Sequence, residues 1–333
     1  MTEGIRVAGV DIGGTGLRLA LARLDEHGHP RIEATAEMAA PTGTGPRGID
    51  AEALLRTLLP ALDGLLAGAG TATVDTLAVG ATGMALLGQD LAARLPAPLA
   101  QHCGSHRLVL AADAVAAYAG ALGARPGVVV AAGTGMIALA TDLATGWRRA
   151  DGWGHLLGDC GGGAWIGRAA LDAALRAHDG RAGGSPALLV RVLDRFGPVT
   201  GLPALLQLRP DRAGLLASLA PDVAETSAAG DPVAAGILAR AAEEIADTAA
   251  AAAAGLDAPR VALTGRLFHL DGLRDAVSDR LSSRVPGVRL HTPEGEPLLG
   301  AVRLAAAAVQ GELPWPAGPP LLHLIDGMPR AGQ

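Results

Sequence analysis

Across 333 residues there is no lysine, so all 27 basic side chains are arginines, and there is no asparagine. The first absence excludes a Walker A loop, whose lysine reaches the β- and γ-phosphates, and the strand lysine of protein kinases. It also removes Schiff-base chemistry, and with it pyridoxal enzymes and lysine aldolases. The second absence removes N-glycosylation sites and a kinase-type catalytic-loop asparagine. Both residues have AT-rich codons, so a GC-rich genome accounts for their loss, but the chemical exclusions hold whatever the cause. Cysteine is scarce too: Cys103 and Cys160 cannot make a disulfide framework or a four-cysteine zinc site. No basic run exceeds Arg148-Arg149 and the net charge is −6, which weighs against nucleic acid as a partner. No stretch approaches the ~18 uncharged apolar residues of a membrane span, and no basic-then-apolar leader precedes the first strand. The expected setting is therefore the cytoplasm, with no membrane partner.

What is present is a folding chain. Half of the residues are apolar and 18% are charged, while 47 glycines and 22 prolines are scattered without a period, which rules out collagen and argues against disorder. The length suits two domains. Ile5–Val10, the turn Gly13-Gly14-Thr15-Gly16 and Leu17–Ala22 read as a strand hairpin, with a third strand over Arg31–Met38. A glycine-rich loop, Pro41–Pro46, leads to a helix over Asp50–Leu66; strands at Thr76–Thr82 and Leu108–Ala111 follow, then a helix opened by Asp113. The pattern restarts with Gly127–Ala132, the turn Gly133-Thr134-Gly135, and Met136–Thr141, with a short strand near Trp147. Residues 163–256 are mostly helical; a strand at Arg260–Thr264, a helix near Leu273–Leu281, a strand at Val288–His291 and a helix over Pro297–Val309 complete the order. The boundaries this predicts are an α/β half over 1–122, a second over 123–312 with a helical insertion, and an extended tail over 313–333. A cleft between two such halves is where small ligands usually sit.

Several residues in this frame could carry chemistry. Asp11 ends an apolar strand, where a carboxylate is costly unless it is hydrogen-bonded or meets a cation. The following Gly13, Gly14 and Thr15 suit a backbone nest for an anion; a plain tight turn is the competing reading. Gly133-Thr134-Gly135 repeats the design in the second half. Asp113 is either a helix N-cap or a general base taking a proton from a hydroxyl. The run Gly152 to Gly163 sets Trp153, His155, Asp159 and Cys160 among six glycines, a loop shaped for a ligand. His155 reads as a structural imidazole or a base, and Cys160 as a small buried residue. Gly265 and Arg266 follow a strand in a turn that would let a flat base lie against backbone, or in an ordinary βα turn. No HExxH, CxxC or GxSxG occurs.

In this order the motifs resemble the sugar kinase/actin/Hsp70 superfamily, and within it the N-acetylglucosamine kinases of the BadF/BadG-type ATPase family. The signature is Gly152-Trp153-Gly154-His155-Leu156-Leu157-Gly158-Asp159 through Trp165-Ile166-Gly167. The resemblance implies two RNase-H-like α/β domains, ATP and Mg²⁺ as cofactors, and an amino sugar phosphorylated on a hydroxyl, the 6-OH. It implies Asp11 at the metal, Gly13, Gly14, Thr15, Gly133, Thr134 and Gly135 at the phosphates, and Gly265 and Arg266 at the adenosine. Asp113 matches the catalytic base, and Asp113, Thr134, Gly154 and Asp159 the substrate positions. Cys160 and Met136 stand where the family usually has Glu and Ser, Arg266 where it has a second Gly, and Thr42–Pro46 lacks its usual Asn. The zinc cysteines of ROK sugar kinases are absent. Two cysteines are the minimum for the iron–sulfur cluster shared by dimeric dehydratase activators, and a non-enzymatic ATP-binding scaffold is the reading from another class. A homodimer is the default assembly.

Overall fold

The computed structural model describes residues 4–13, 16–38, 44–45, 48–84, 89–209 and 211–327. Gly14, Thr15, the Pro41–Gly43 and Pro46 positions of the glycine-rich loop, and the tail from residue 328 onward lie outside the described residues.

The chain opens with β1 (Arg6–Gly13), β2 (Gly16–Leu24) and β3 (Pro30–Met38), and the short β4 (Thr44–Gly45) and β5 (Gly48–Ile49). There follow α1 (Ala51–Gly68), β6 (Thr76–Ala81), α2 (Gln89–Arg94), α3 (Pro96–Cys103), β7 (Arg107–Ala112) and α4 (Asp113–Leu122). Next come β8 (Gly127–Ala132), β9 (Met136–Thr141), β10 (Trp147–Asp151), α5 (Gly163–His178), α6 (Pro186–Phe196), α7 (Leu202–Leu208), α8 (Arg212–Ala217), α9 (Ala220–Ala228) and α10 (Pro232–Ala253). The last elements are β11 (Arg260–Thr264), α11 (Leu273–Arg284), β12 (Arg289–His291), α12 (Pro297–Val309) and β13 (Leu322–Asp326). The chain divides into two compact units: Met1–Pro126 with Thr141–Trp147 and Thr292–Gln333, and Gly127–Ala140 with Arg148–His291.

Unit 1 is built on a six-stranded sheet in the order β13-β7-β6-β1-β2-β3. β1 and β2 form the expected antiparallel hairpin, with Gly13 opposite Gly16 and Asp11 opposite Arg18, while β6 and β7 add in parallel. β1 and β6 are buried along almost their whole length, as strands covered on both faces should be. The Asp50 carboxylate caps the start of α1 by accepting the Glu52 and Ala53 N–H groups at 2.9 and 3.1 Å. α12 packs on α4 and β1. Glycine permits this: a side chain at Gly9 would overlap Val302, and one at Gly300 would overlap the Ala116 carbonyl.

The expected second domain of 123–312 needs correction. α12 and the 313–327 tail belong to unit 1, because the apolar face of α12 (Ala301, Val302, Leu304, Ala305) is buried there. The tail also does more than wrap, since β13 pairs antiparallel with β7, Leu322 opposite Ala111.

Unit 2 holds a five-stranded sheet ordered β10-β9-β8-β11-β12, with β8 parallel to β11 and Thr264 opposite Ala131. Its helical insertion, α5 to α10, buries alanine, leucine and isoleucine against β8 and β9 in one core. Asp231 and Ser185 cap α10 and α6 and are hydrogen-bonded to each other at 2.8 Å. Among the described residues no helix is long and apolar enough to cross a membrane.

Candidate active site

In unit 1, Asp11 and Asp113 stand at the same end of the sheet, where the parallel strands β1, β6 and β7 finish. Asp11 aligns with Gly80 on β6 and Gly80 with Ala111 on β7, so Asp113 lies two strands across and two residues further on. Strand spacing and rise put their Cα atoms roughly 12 Å apart. Asp113 is the first helical residue of α4; Ala112 holds the N-cap position without a side-chain bond, and the Asp113 carboxylate accepts the Ala114 N–H at 2.8 Å. The N-cap alternative for Asp113 is therefore displaced by one residue.

Asp11 is 6% exposed. Burial holds its carboxyl above the ordinary value, against the opposing pull of Arg18. Arg18 donates from Nε at 3.1 Å and Nη2 at 2.7 Å, both to Oδ2, and its Nη1 donates to Glu296 at 2.5 Å. Glu296 holds the N-cap position of α12, yet its side chain makes no cap bond. Arg18 and Glu296 escaped the sequence reading. Arg18 was within reach of it, because a two-residue turn between Gly13 and Gly16 puts residue 18 opposite residue 11. Oδ1 of Asp11 has no hydrogen-bond partner among the described residues. An open carboxylate oxygen fits Mg²⁺, which dehydrates reluctantly and keeps several waters through which a carboxylate can hold it. Among the described residues no cluster of three His, Cys, Asp or Glu side chains forms a metal site.

In unit 2, the Gly133-Thr134-Gly135 turn is fixed from behind. The Gly163 and Ala164 N–H groups at the start of α5 donate to the Gly133 and Thr134 carbonyls, each at 2.9 Å. With the carbonyls engaged, the Thr134 and Gly135 N–H groups have no acceptor among the described residues. Such a pair of outward donors fits a phosphate. Gly265, at φ +102°, lies so close to Ala132 that any side chain would overlap that backbone, which puts the Gly265 turn next to the Gly133-Thr134-Gly135 turn. Arg266 is exposed and begins a short 3₁₀ turn to His269.

Asp159 is buried at φ +54° and accepts the Gly154 N–H on Oδ1 at 3.0 Å. A side chain at Gly135 would overlap its carboxylate, so Asp159 sits against the Gly133-Thr134-Gly135 turn. Burial keeps its carboxyl above the ordinary value; the Gly154 bond works the other way, and the neighbouring Asp151 charge adds a smaller push upward. Asp151 organises the loop. Its Oδ1 accepts the Asp159 N–H at 2.8 Å and its Oδ2 the Cys160 N–H at 2.8 Å. The sequence reading missed it, since bonds to residues eight and nine positions later leave no periodic signal. His155 Nε2 is buried without a partner, and burial and Arg212 push the imidazole below its ordinary value; the backbone bond expected for it is absent among the described residues. Burial and the Asp151 and Glu244 carboxylates push the Cys160 thiol up, which opposes thiolate chemistry.

The profile of the BadF/BadG/BcrA/BcrD ATPase family matches residues 8–305. The chain belongs to that family. A proposed N-acetylglucosamine kinase from Chromobacterium violaceum is similar at 30% identity and a TM-score of 0.72, covering 91% of this chain and 99% of that one. A ROK family glucokinase from Streptomyces griseus, solved with glucose and AMPPNP, shares the fold at 20% identity and a TM-score of 0.56 over 90% of this chain and 99% of its own. An N-acetylmuramic acid/N-acetylglucosamine kinase from Clostridium acetobutylicum is 39% identical over 75 residues. That match spans 22% of this chain and only 24% of the relative. The BadF/BadG-type resemblance read from the motifs is thus shown at the level of family and of two-unit α/β fold.

Proposed function

We propose that this family member is an ATP-dependent carbohydrate kinase that transfers the γ-phosphoryl group to a hydroxyl, the 6-OH, of N-acetylglucosamine or a related amino sugar such as N-acetylmuramic acid. The observation that carries the reading is Asp113, which opens α4 at the strand end of the sheet that also presents Asp11. A base set off from a metal carboxylate by roughly the span of a phosphoryl group and its acceptor suits hydroxyl phosphorylation. An ATP-binding scaffold has no use for it.

In unit 1, Asp113 takes the proton from the attacking hydroxyl. Asp11 would hold Mg²⁺ through water, and Gly13, with Gly14 and Thr15 that lie outside the described residues, would serve as the first phosphate turn. Arg18, next to Asp11, supplies positive charge in a chain without lysine. When bound, Mg²⁺ neutralises charge on the β- and γ-phosphoryl oxygens. In unit 2, the Thr134 and Gly135 N–H groups donate to phosphate oxygens, pre-aimed by the α5 amides behind them. Gly265 and Arg266 border the adenosine, and Thr134, Gly154 and Asp159 contact the sugar. The same reading takes a homodimer as the assembly, the cytoplasm as the setting, and neither nucleic acid nor membrane as a partner.

A coupled ADP-release assay with MgATP, run with N-acetylglucosamine, N-acetylmannosamine, glucosamine, glucose and no sugar, tests the reading. Sugar-stimulated release is expected. Release indifferent to every sugar would replace the kinase with an ATPase, and no release at all would leave a scaffold.

A further inference from the structure

Glu296 stands 278 residues beyond Arg18 in sequence, yet its Oε2 accepts the Arg18 Nη1–H at 2.5 Å. The backbone that carries it is fixed: its carbonyl accepts the Gly300 N–H at 3.2 Å and lies against Gly120 of α4, where any side chain would overlap it. The side chain is 71% exposed and makes no cap bond at the start of α12, so neither burial nor helix capping accounts for its placement. What it does is complete the partners of a guanidinium. Nε and Nη2 of Arg18 donate to Asp11, and Nη1 to Glu296. One cation between two carboxylates sums to a net charge of −1 at the strand end assigned to Mg²⁺ and phosphate. That sign repels a polyphosphate arriving alone. With a divalent cation held at the open Asp11 oxygen, two positive charges bring the sum to +1 and the same place attracts it.

We infer that Glu296 is a specificity residue that makes nucleotide binding conditional on the metal. Acting through Arg18, it cancels the positive charge that would otherwise draw in metal-free nucleoside triphosphate, so the site selects the Mg²⁺ complex. This rests on the kinase reading, with Asp11 as the metal carboxylate. A carboxylate that merely propped up the guanidinium would act in the opposite sense, since its loss would weaken every phosphate contact that Arg18 makes.

The experiment measures by calorimetry the Kd of the full chain for the non-hydrolysable triphosphate AMPPNP, in Mg²⁺ and in EDTA without sugar, for the wild type, Glu296→Gln and Glu296→Asp. The wild type should bind at least about 10-fold more tightly in Mg²⁺. Glu296→Gln, of the same size and uncharged, should tighten the EDTA Kd about 10-fold, the scale of one partly solvated charge pair. Coulomb energy scales with ligand charge, which Mg²⁺ halves from about −4 to about −2, so the gain in Mg²⁺ should be only about threefold. The preference for the complex therefore shrinks. Glu296→Asp, which keeps the charge, should keep the wild-type preference. Equal wild-type Kd values in Mg²⁺ and EDTA, a result that needs no variant to fold, would overturn the inference. So would unchanged or weaker EDTA binding in Glu296→Gln, or a Glu296→Asp chain that behaves as Glu296→Gln does. In each of those cases AMPPNP binding by the wild type leaves the kinase reading standing, whereas no binding under either condition would remove both.

Discussion

Asp151→Asn tests how the Gly152–Gly163 loop is held. The variant keeps size and shape, and Asn tolerates the positive φ of +56° found here. What changes is the number of acceptors. Oδ1 accepts the Asp159 N–H and Oδ2 the Cys160 N–H, both at 2.8 Å. An amide has one acceptor oxygen, so whichever way it flips, its NH₂ group faces one of these two donors. A hydrogen bond to a charged group contributes about 1.5–3 kcal/mol, and the loop is partly solvated, so about 2 kcal/mol is the appropriate scale. At 1.4 kcal/mol per tenfold, the open form of the loop becomes roughly 30-fold more populated. Amide hydrogen exchange read by NMR should therefore show the Asp159 and Cys160 amides exchanging about 30-fold faster, with the amides of β6 in unit 1 unchanged. If both loop amides exchange within about threefold of the wild type, Asp151 is not what orders the loop, and the placement of Asp159 needs another cause.

Asp113→Asn should lower kcat by about 10²–10⁴-fold, the usual range for a general base, with ATP affinity by calorimetry nearly unchanged; near-normal turnover would remove Asp113 from the mechanism. Asp11→Asn should raise the Mg²⁺ concentration needed for half-maximal nucleotide binding, and an unchanged titration would contradict the metal assignment. Gly265→Ala combines a φ of +102° with overlap onto Ala132 and should cost about 3 kcal/mol or more in thermal unfolding, so wild-type stability would refute the close approach. The Asp159 carboxyl is raised from 3.8, so above that pH the folded state binds more protons than the unfolded one and stability falls as pH rises through the raised value. The stability of Asp159→Asn relative to the wild type should thus improve as pH rises above 3.8, and a flat difference in melting temperature would show that Asp159 is not strained by its charge.

The local parts of the fold were readable. The two-residue period on either side of Gly13–Gly16 specified the β1–β2 hairpin, and Asp113–Leu122 and Pro297–Val309 came out at their observed limits. The non-local parts were not. Nothing in the period of α12 says that Gly300 will rest on the Ala116 carbonyl, or that β13 will extend the sheet beside β7. Both are close approaches between segments some 180 or more residues apart, and single-chain patterning carries no such distance. The site divides the same way. Residues that mark turns and strand ends, such as Asp11, Asp113 and Gly133–Gly135, stood out because glycine and buried carboxylates are conspicuous. Arg18, Glu296 and Asp151 act through partners that only the folded register supplies.

The position of β13 also governs when unit 1 can be completed during synthesis. Its first segment ends at Pro126, but the strand that pairs with β7 ends at Asp326, about 200 residues later. At ~5–20 residues per second, the ribosome leaves that sheet edge open for about 10–40 s. During the wait β7 presents Leu108, Val109 and Leu110 without their last neighbour, and Gly9 on β1 lacks the cover of Val302. Unit 2, whose sheet is finished at His291, emerges whole before that edge can close. The N-terminal half of this chain is therefore the part most exposed to chaperones, and a truncation that removes only β13 should be felt first as aggregation of nascent protein.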